Sequence, residues 1–292
     1  MEVKLRGINV IAEIGINHNG DMNLVYDMVL AAKRCGADFV KFQKRDIDTC
    51  YTPEELAAPC DSPWGDTVEA KVRGRELSWE EFSAIDGICA RQKIGWSASC
   101  FDLKSLDDLQ RQFGDEITFH KVPSAMAIHR PFLEQVAAYK KLTLISVGLA
   151  PNFQEVVAIA DLFYEAGCPF VINVTTSLYP CPPDRCNLER LSFFQNHSRV
   201  NRFGVGYSGH EVGILPSVIA AQMGARFIER HFTLDRSWYG ADQAASLEPD
   251  GLRRLCRDIE ELGVIDGSGC VALRGDEKNP VPTLKGGFFN GS

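Results

Sequence analysis

Residues 228–233 read Ile-Glu-Arg-His-Phe-Thr, an apolar, strand-like run that carries three ionisable side chains. Because side chains alternate along a strand, Glu229 and His231 share one face. Burying such groups is costly unless they are paired or bind an ion. A second histidine, His210, ends another apolar run, VGYSGHE at residues 205–211. Two histidines at the ends of adjacent strands predict a metal site.

Outward from this segment, apolar runs alternate with amphipathic segments along the whole chain. The strand candidates are residues 8–15, 39–43, 95–101, 119–124, 142–148, 170–177, 203–208 and 226–233, and the helix candidates between them include 22–35, 78–92, 152–166, 213–223 and 249–262. About eight strand–helix units, with short apolar strands typical of a covered parallel sheet, predict a (β/α)8 TIM barrel. An open doubly wound sheet is the alternative, although neither a G-x-G-x-x-G after the first strand nor a P-loop motif occurs.

The domain organisation follows from the same pattern. We expect a single catalytic barrel over residues 1–275 and a C-terminal tail, residues 276–292, with no second domain. One long insertion, residues 44–77, separates the second strand from its helix. Its length predicts either a lid over the barrel mouth or a plain surface excursion.

Bulk composition narrows the class of protein. The chain has 292 residues, 45% of them hydrophobic, and a net charge of −8, which argues against a general nucleic-acid binder. No apolar run is long enough for a transmembrane span, and the N-terminus lacks the apolar core of a signal peptide. The ten cysteines are scattered without a C-x-x-C motif, which favours reduced thiols. We therefore expect a cytoplasmic enzyme with small-molecule substrates and without nucleic-acid or membrane partners.

Polar side chains gather where the barrel strands should end, and barrel enzymes react at that end of the strands. The cations and hydroxyls among them are Lys41, Ser99, Lys121, Ser124, Ser146 and Ser208. Such a ring suits a phosphate or carboxylate, although any one lysine is equally consistent with a structural ion pair. Two imidazoles with oxygen donors fit manganese, iron or zinc. His18, in the first turn, is better interpreted as a loop residue than as a third ligand.

Taken together, several stretches resemble the sialic acid synthase family, which condenses phosphoenolpyruvate with N-acetylmannosamine or a related sugar. The matching stretches are AEIGINHNGD at 12–21, GADFVKFQ at 36–43, SLYP at 177–180, VGYSGHE at 205–211, ERHFTLD at 229–235 and LEP at 247–249. The resemblance covers nearly the whole chain. It implies a transferase that joins phosphoenolpyruvate to an aldose, forms a sialic (nonulosonic) acid and releases phosphate.

The resemblance also implies roles for individual residues. His210 and His231 match the family's manganese ligands. The positions that match its phosphoenolpyruvate contacts are Lys41, Ser99, Lys121, Ser124, Ser146, Ser177 and Ser208, and those that match its acceptor-sugar contacts are Glu13, Gln43, Tyr179 and Asp242. We expect Glu13 to manage protons at the sugar, so that the catalytic set is Glu13, Lys41, Lys121, His210 and His231.

Two departures from the family pattern bear on the acceptor. Met126 stands where the family usually has an acidic residue near the sugar, and the antifreeze-like C-terminal domain of the family is not expected here. A related phosphoenolpyruvate-dependent 3-deoxy-ulosonic acid synthase that uses a different aldose is therefore one alternative. A barrel that binds sugar or metal without turnover is another. Family members commonly pair as homodimers, so a homodimer is one possible assembly, although the sequence supplies no interface in place of the C-terminal domain.

Overall fold

The computed structural model describes residues 7–265. The expected domain end at residue 275 and the tail at 276–292 lie outside the described residues, so the domain boundaries stay a prediction. The strands are β1 (Asn9–Gly15), β2 (Phe39–Lys44), β3 (Pro59–Ser62), β4 (Gly65–Thr67), β5 (Gly95–Cys100), β6 (His120–Val122), β7 (Thr143–Ser146), β8 (Phe170–Thr175), β9 (Val205–Gly209) and β10 (Phe227–His231).

The helices alternate with these strands. They are α1 (Met22–Cys35), α2 (Ile47–Cys50), α3 (Pro53–Ala57), α4 (Val68–Arg73), α5 (Trp79–Gln92), α6 (Leu103–Phe113), α7 (Arg130–Ala138), α8 (Phe153–Glu165), α9 (Glu189–Gln195), α10 (Leu215–Gln222) and α11 (Pro249–Ile265). Across residues 7–265, no helix combines the length and apolarity that crossing a bilayer requires.

Eight parallel strands close into a barrel in the order β1-β10-β9-β8-β7-β6-β5-β2. The predicted (β/α)8 TIM barrel is confirmed, and the open doubly wound sheet is wrong. Closure aligns Glu13 of β1 with His231 on one side and with Lys41 on the other. Residues that are far apart in sequence therefore meet at the same height of the barrel.

Local capping explains where several helices begin and end. The predicted capping box at Ser78 and Glu81 is present at the start of α5. Asn152 caps α8 by accepting a hydrogen bond from the backbone N–H of Glu155. Gly36 ends α1 with a φ of 97°, a left-handed conformation that glycine adopts without steric cost. The helix predicted at residues 213–223 is shorter in the structure, where α10 spans Leu215–Gln222.

Inside the barrel, an apolar floor lies below a polar layer. The floor consists of Ile11, Phe39, Phe119, Leu144, Val171 and Phe227. Two residues further along each of these strands, the inward side chains become polar: Glu13, Lys41, Lys121, Ser146, Asn173 and Glu229, all of them buried. The period of two along each strand makes this switch possible without disturbing the outer face, which packs against the helices.

The insertion after β2 folds into α2, α3, the β3–β4 hairpin and α4 around a small apolar core of its own. Trp64 in the hairpin loop contacts Tyr239, in the loop after β10, with ring centroids 5.6 Å apart. The Tyr239 hydroxyl also donates to the carbonyl of Asp61 at 3.4 Å. The insertion therefore lies beside the barrel mouth and is held against the loop that follows His231.

Arg230 faces outward between Glu229 and His231 and is fully buried. Its Nη1 donates to the Glu211 carboxylate at 2.9 Å and to the Gly213 carbonyl at 2.7 Å. The Tyr207 and Ser217 hydroxyls donate to the same carboxylate. This ion pair joins β10 to the segment directly after His210, and so links the two strands that carry the histidines.

Removing one partner of this buried pair should destabilise the fold strongly, because the Glu211 carboxylate would stay buried without its cation. We expect Arg230→Met to lower the free energy of unfolding by about 3–5 kcal/mol. Urea unfolding followed by circular dichroism measures this. Arg130→Met is the matched control, because Arg130 forms an exposed pair with Glu134, and the loss of such a pair should cost less than about 1 kcal/mol. Equal losses in the two variants would contradict the account.

Candidate active site

Two cavities differ in position and in chemistry. The larger, about 760 Å³, is lined by residues at the N-terminal ends of β1, β2 and β10 and by helices α10 and α11. The smaller, about 200 Å³, opens at the C-terminal ends of the strands, over the polar layer. Barrel enzymes carry their chemistry at the C-terminal end. The smaller cavity is therefore the candidate active site despite its size.

A network of two lysines and two glutamates forms the base of this cavity. The Lys41 ammonium lies 2.6 Å from the Glu13 carboxylate, and the Lys121 ammonium lies 3.0 Å from that of Glu229. Lys41 also approaches Glu229, at 3.8 Å, which links the two pairs. Hydroxyls complete the network: Ser99 accepts from Lys41, Ser146 accepts from Lys121, and Ser208 donates to Glu229.

The two carboxyl groups are held in opposite electrostatic states. Burial raises the pKa of Glu13 to about 7, against the opposing effect of Lys41. Burial also acts to raise the pKa of Glu229, but the charges of Lys121 and Lys41 outweigh it and hold that pKa well below its usual range. At neutral pH Glu229 is therefore the fixed anion of the network, whereas Glu13 can hold or release a proton.

His210 and His231 face each other across the mouth, with ring centroids 5.4 Å apart. The His210 Nδ1 lies 2.7 Å from the Thr176 carbonyl, which orients that ring. The buried His231 Nδ1 has no hydrogen-bond partner within the described part of the chain and lies 3.7 Å from an Asp242 carboxylate oxygen. Tyr179 stacks close to His210, at 4.0 Å between ring centroids.

This pair fits the requirements of a divalent metal. Burial lowers the pKa of His210 to about 4 and that of His231 to about 3, so both imidazoles are neutral, as ligands must be. A metal–nitrogen bond is about 2.1 Å, so two rings that share an ion have centroids no more than about 6.5 Å apart, and this pair meets that limit. Among residues 7–265, no group of three His, Cys, Asp or Glu side chains could hold a metal. Substrate or water oxygens would have to complete the coordination.

Polar atoms without partners cluster at the same cavity. Among the described residues, the buried hydroxyls of Thr175 and Ser177 and one buried carboxylate oxygen of Glu229 find no hydrogen-bond partner. All three residues line the cavity. Buried polar atoms in folded proteins nearly always have partners. Such a concentration of unpartnered atoms indicates where a polar ligand binds.

The sequence-predicted site residues converge on this cavity. Its lining includes Glu13, Lys41, Gln43, Ser99, Lys121, Ser124, Ser146, Ser177, Tyr179, Ser208, His210 and His231. Asp242 lies next to His231 rather than in the lining. His18 contacts its own turn instead, since its Nδ1 accepts from the Gly20 N–H at 3.0 Å.

The interpretation of Met126 needs correction. Met126 is half-buried against the outer hydrophobic core, and the residue of that segment that lines the cavity is its neighbour Ala125. The turn after β6 directs the side chain away from the mouth. Sequence reasoning also missed Thr176, whose backbone carbonyl orients His210. Every residue has a backbone carbonyl, so this contact cannot be predicted from the identity of the residue.

Comparisons with known proteins identify the family of this chain. The model of the NeuB family matches residues 28–270. The human N-acetylneuraminate-9-phosphate synthase is 34% identical over 252 residues, which span 86% of this chain and 68% of that protein. The N,N'-diacetyllegionaminic acid synthase of Campylobacter jejuni is 33% identical over 278 residues, spanning 92% of this chain and 81% of that protein.

Solved structures show the same relationship. The N-acetylneuraminic acid (sialic acid) synthetase of Leptospira borgpetersenii, solved with citrate, superimposes with a TM-score of 0.81 at 27% identity and covers 94% of this chain and 90% of its own. A 3-deoxy-D-arabino-heptulosonate 7-phosphate synthase from Thermotoga maritima, with a TM-score of 0.64 at 10% identity, shares the fold alone. Because the family model and relatives above 30% identity span most of the sequence, the chain belongs to the NeuB family and is an enzyme of the sialic acid synthase type.

Proposed function

We propose that this enzyme condenses phosphoenolpyruvate with an N-acetylmannosamine-like aldose to give a nonulosonic acid and phosphate. One observation carries the proposal: two neutral, facing imidazoles lie at the same cavity as a buried ring of lysines and hydroxyls. The imidazoles suit a metal that binds a carbonyl oxygen. The cations and hydroxyls suit the phosphate and carboxylate of an enol phosphate.

Phosphoenolpyruvate would lie over the lysines. Lys41 and Lys121 hold its anionic groups in this proposal, with hydroxyl contacts from Ser99, Ser124, Ser146, Ser177 and Ser208. In the ligand-free network the two lysines are balanced by Glu13 and Glu229. When Glu13 is protonated, the two lysines are balanced by Glu229 alone, so the network carries one net positive charge. A bound anion stabilises that charge and therefore favours the protonated state of Glu13. Substrate binding would therefore protonate Glu13.

His210 and His231 would hold the divalent metal, with manganese the choice that the family resemblance implies. When bound, the metal supplies Lewis-acid polarisation of the open-chain sugar aldehyde. Gln43, Tyr179 and Asp242 would orient the sugar hydroxyls. Gln43 is already engaged with the Glu13 carboxylate at 3.2 Å, which connects the sugar side of the cavity to the proton donor.

The bonds change in one order. Carbon 3 of phosphoenolpyruvate attacks the aldehyde carbon, a carbon–carbon bond forms, and carbon 2 becomes an oxocarbenium centre. Protonated Glu13 delivers a proton to the aldehyde oxygen as it becomes a hydroxyl. Water adds to carbon 2 and passes one proton to the Glu13 carboxylate. The new hydroxyl passes its remaining proton to phosphate as the carbon–oxygen bond to phosphate breaks, leaving a ketone and inorganic phosphate. Much of the rate acceleration would come from positioning both substrates.

The two kinds of curated relative do not choose the acceptor. The human relative is named for a 9-phosphate product and the Campylobacter relative for a diacetylated acid without phosphate in its name, yet their identities to this chain are 34% and 33%. The identity of the acceptor sugar therefore depends on the residues that line this site. A homodimer and a cytoplasmic location stay predictions.

His231→Ala should abolish both metal binding and phosphate release, because it removes one of the two nitrogen ligands. The assay measures phosphate released from phosphoenolpyruvate with manganese and a panel of aldoses, before and after chelation, and calorimetry measures manganese binding. His129→Asn is the control, because His129 caps α7, is not part of the cavity lining, and is replaced by another good cap. Normal turnover in the His231 variant would reject the assignment.

The pH dependence should follow Glu13. If the protonated carboxyl is the active form, kcat/KM falls about tenfold per pH unit as pH rises above 7, because Glu13 loses its proton there. The imidazoles titrate near 3 to 4, so they add no change between pH 5 and 7. Glu13→Gln should lower kcat and remove the falling limb. A wild-type profile that stays flat to pH 9 would contradict this role.

A further inference from the structure

Two arginines beside the mouth have no acidic side-chain partner among the residues that the structure describes. Arg45 follows β2 and Arg75 follows α4, both in the insertion. The Arg45 Nη2 donates to the Gln43 side-chain oxygen at 2.6 Å, and the Arg75 Nε donates to the Lys71 carbonyl at 3.2 Å. Within residues 7–265, neither guanidinium has a carboxylate oxygen within 4.0 Å, whereas Arg73 on the same segment pairs with Asp48 and Glu69.

The two arginines line one small cavity of about 50 Å³. A single water needs about 10–15 Å³ of such space, so the cavity has room for about four waters, close to the heavy-atom count of a phosphate group. Glu76 also lines it, but its carboxylate is already engaged by the Lys44 ammonium at 3.0 Å and the Arg45 backbone N–H at 2.9 Å. The cavity therefore keeps an excess of positive charge.

Burial makes this charge costly without an anion. Arg75 is half-buried, and burial together with the nearby Arg45 charge lowers its pKa. The position of Arg75 is set by close packing: a Cβ on Gly20, whose φ is +79°, would lie 2.2 Å from the Gly74 carbonyl oxygen. The first turn of the barrel thus fixes the arginine at the mouth. Two partly desolvated guanidinium groups in fixed positions form a typical anion site.

The arginine cavity adjoins the acceptor side of the active site. The Arg45 guanidinium lies 4.0 Å from the ring centroid of Phe101, and both Phe101 and Gln43 line the active-site cavity. Burial raises the pKa of the Asp242 carboxyl, and the charges of Arg45 and Arg75 are among those that oppose this rise. The arginines therefore lie beside two residues that we assign to the sugar, rather than beside the lysine ring.

We propose that Arg45 and Arg75 bind a phosphate ester on the terminal carbon of the acceptor, so that the substrate is a phosphorylated aldose. The inference rests on the proposed function, because it takes the aldehyde end of the sugar to lie at the histidines. A sugar chain that runs from the histidines past Gln43 and Asp242 places its far end at Arg45. The Arg45 contact with Gln43 would then couple recognition of the phosphate to orientation of the sugar.

The first test compares two acceptors on the metal-loaded full chain, N-acetylmannosamine and its 6-phosphate, by phosphoenolpyruvate consumption. Two charge-assisted contacts should favour the phosphate ester by about 100-fold in kcat/KM. Arg75→Gln removes one of the two contacts and should lower this ratio to about 10, and Arg75→Lys, which keeps the charge but loses the two parallel N–H donors, should lower it less. Arg73→Gln, on the exposed side of the same segment, should leave the ratio unchanged.

A binding measurement keeps the inference independent of turnover. Calorimetry should show that the 6-phosphate binds more tightly than N-acetylmannosamine, and that Arg75→Gln reduces the difference about tenfold while Arg73→Gln leaves it unchanged. If phosphoenolpyruvate is consumed equally well with the unphosphorylated sugar, the inference fails and the proposed function stands. If neither sugar supports consumption but the 6-phosphate still binds through Arg75, the proposed function fails and the phosphate site stands. Inorganic phosphate that binds as tightly as the sugar phosphate would overturn the assignment to the acceptor.

Discussion

The contact of Glu229 with Lys121 and Lys41 is the constraint around which the rest of the barrel interior is organised. A carboxylate in the middle of a closed barrel is tolerated only because two ammonium groups and the Ser208 hydroxyl surround it. Those ammonium groups are held in turn by Glu13, Ser99 and Ser146. The network is thus nearly neutral when it is empty, and protonation of a single group, Glu13, turns it into a site for an anion.

Strand β10, which carries Glu229, also has a buried charge on its outer face. Arg230 lies between Glu229 and His231, and its contacts with Glu211 and Gly213 tie β10 to the segment after His210. The inner face of β10 therefore carries the site residues Glu229 and His231, and the contacts of Arg230 on the outer face hold those residues in position. This division explains why a run of three ionisable residues is compatible with a buried strand. It also implies that the spacing of the two imidazoles depends on a contact outside the barrel.

Much of the fold and of the candidate site could be predicted from the sequence, because both depend on periodicity. Alternation along β10 put Glu229 and His231 on one face, and the repeated strand–helix pattern indicated a closed barrel, which aligns the strand ends. Features that depend on long-range contacts could not be predicted. Neither the shift of Glu13 to a pKa of about 7 nor the lack of a carboxylate partner for Arg45 and Arg75 within residues 7–265 follows from residue type. Each requires knowing which neighbours the insertion and the loops bring close.

The central claim is that one divalent cation binds between the imidazoles of His210 and His231 at the mouth of the barrel. Pulsed electron paramagnetic resonance on manganese-loaded full-length protein tests it most directly, because it detects the nuclei that contact the ion. The account predicts one manganese ion per chain, coupled to two imidazole nitrogens, with one coupling lost in His210→Gln. Manganese that binds without any nitrogen coupling, or that keeps both couplings in the His210 variant, would contradict it.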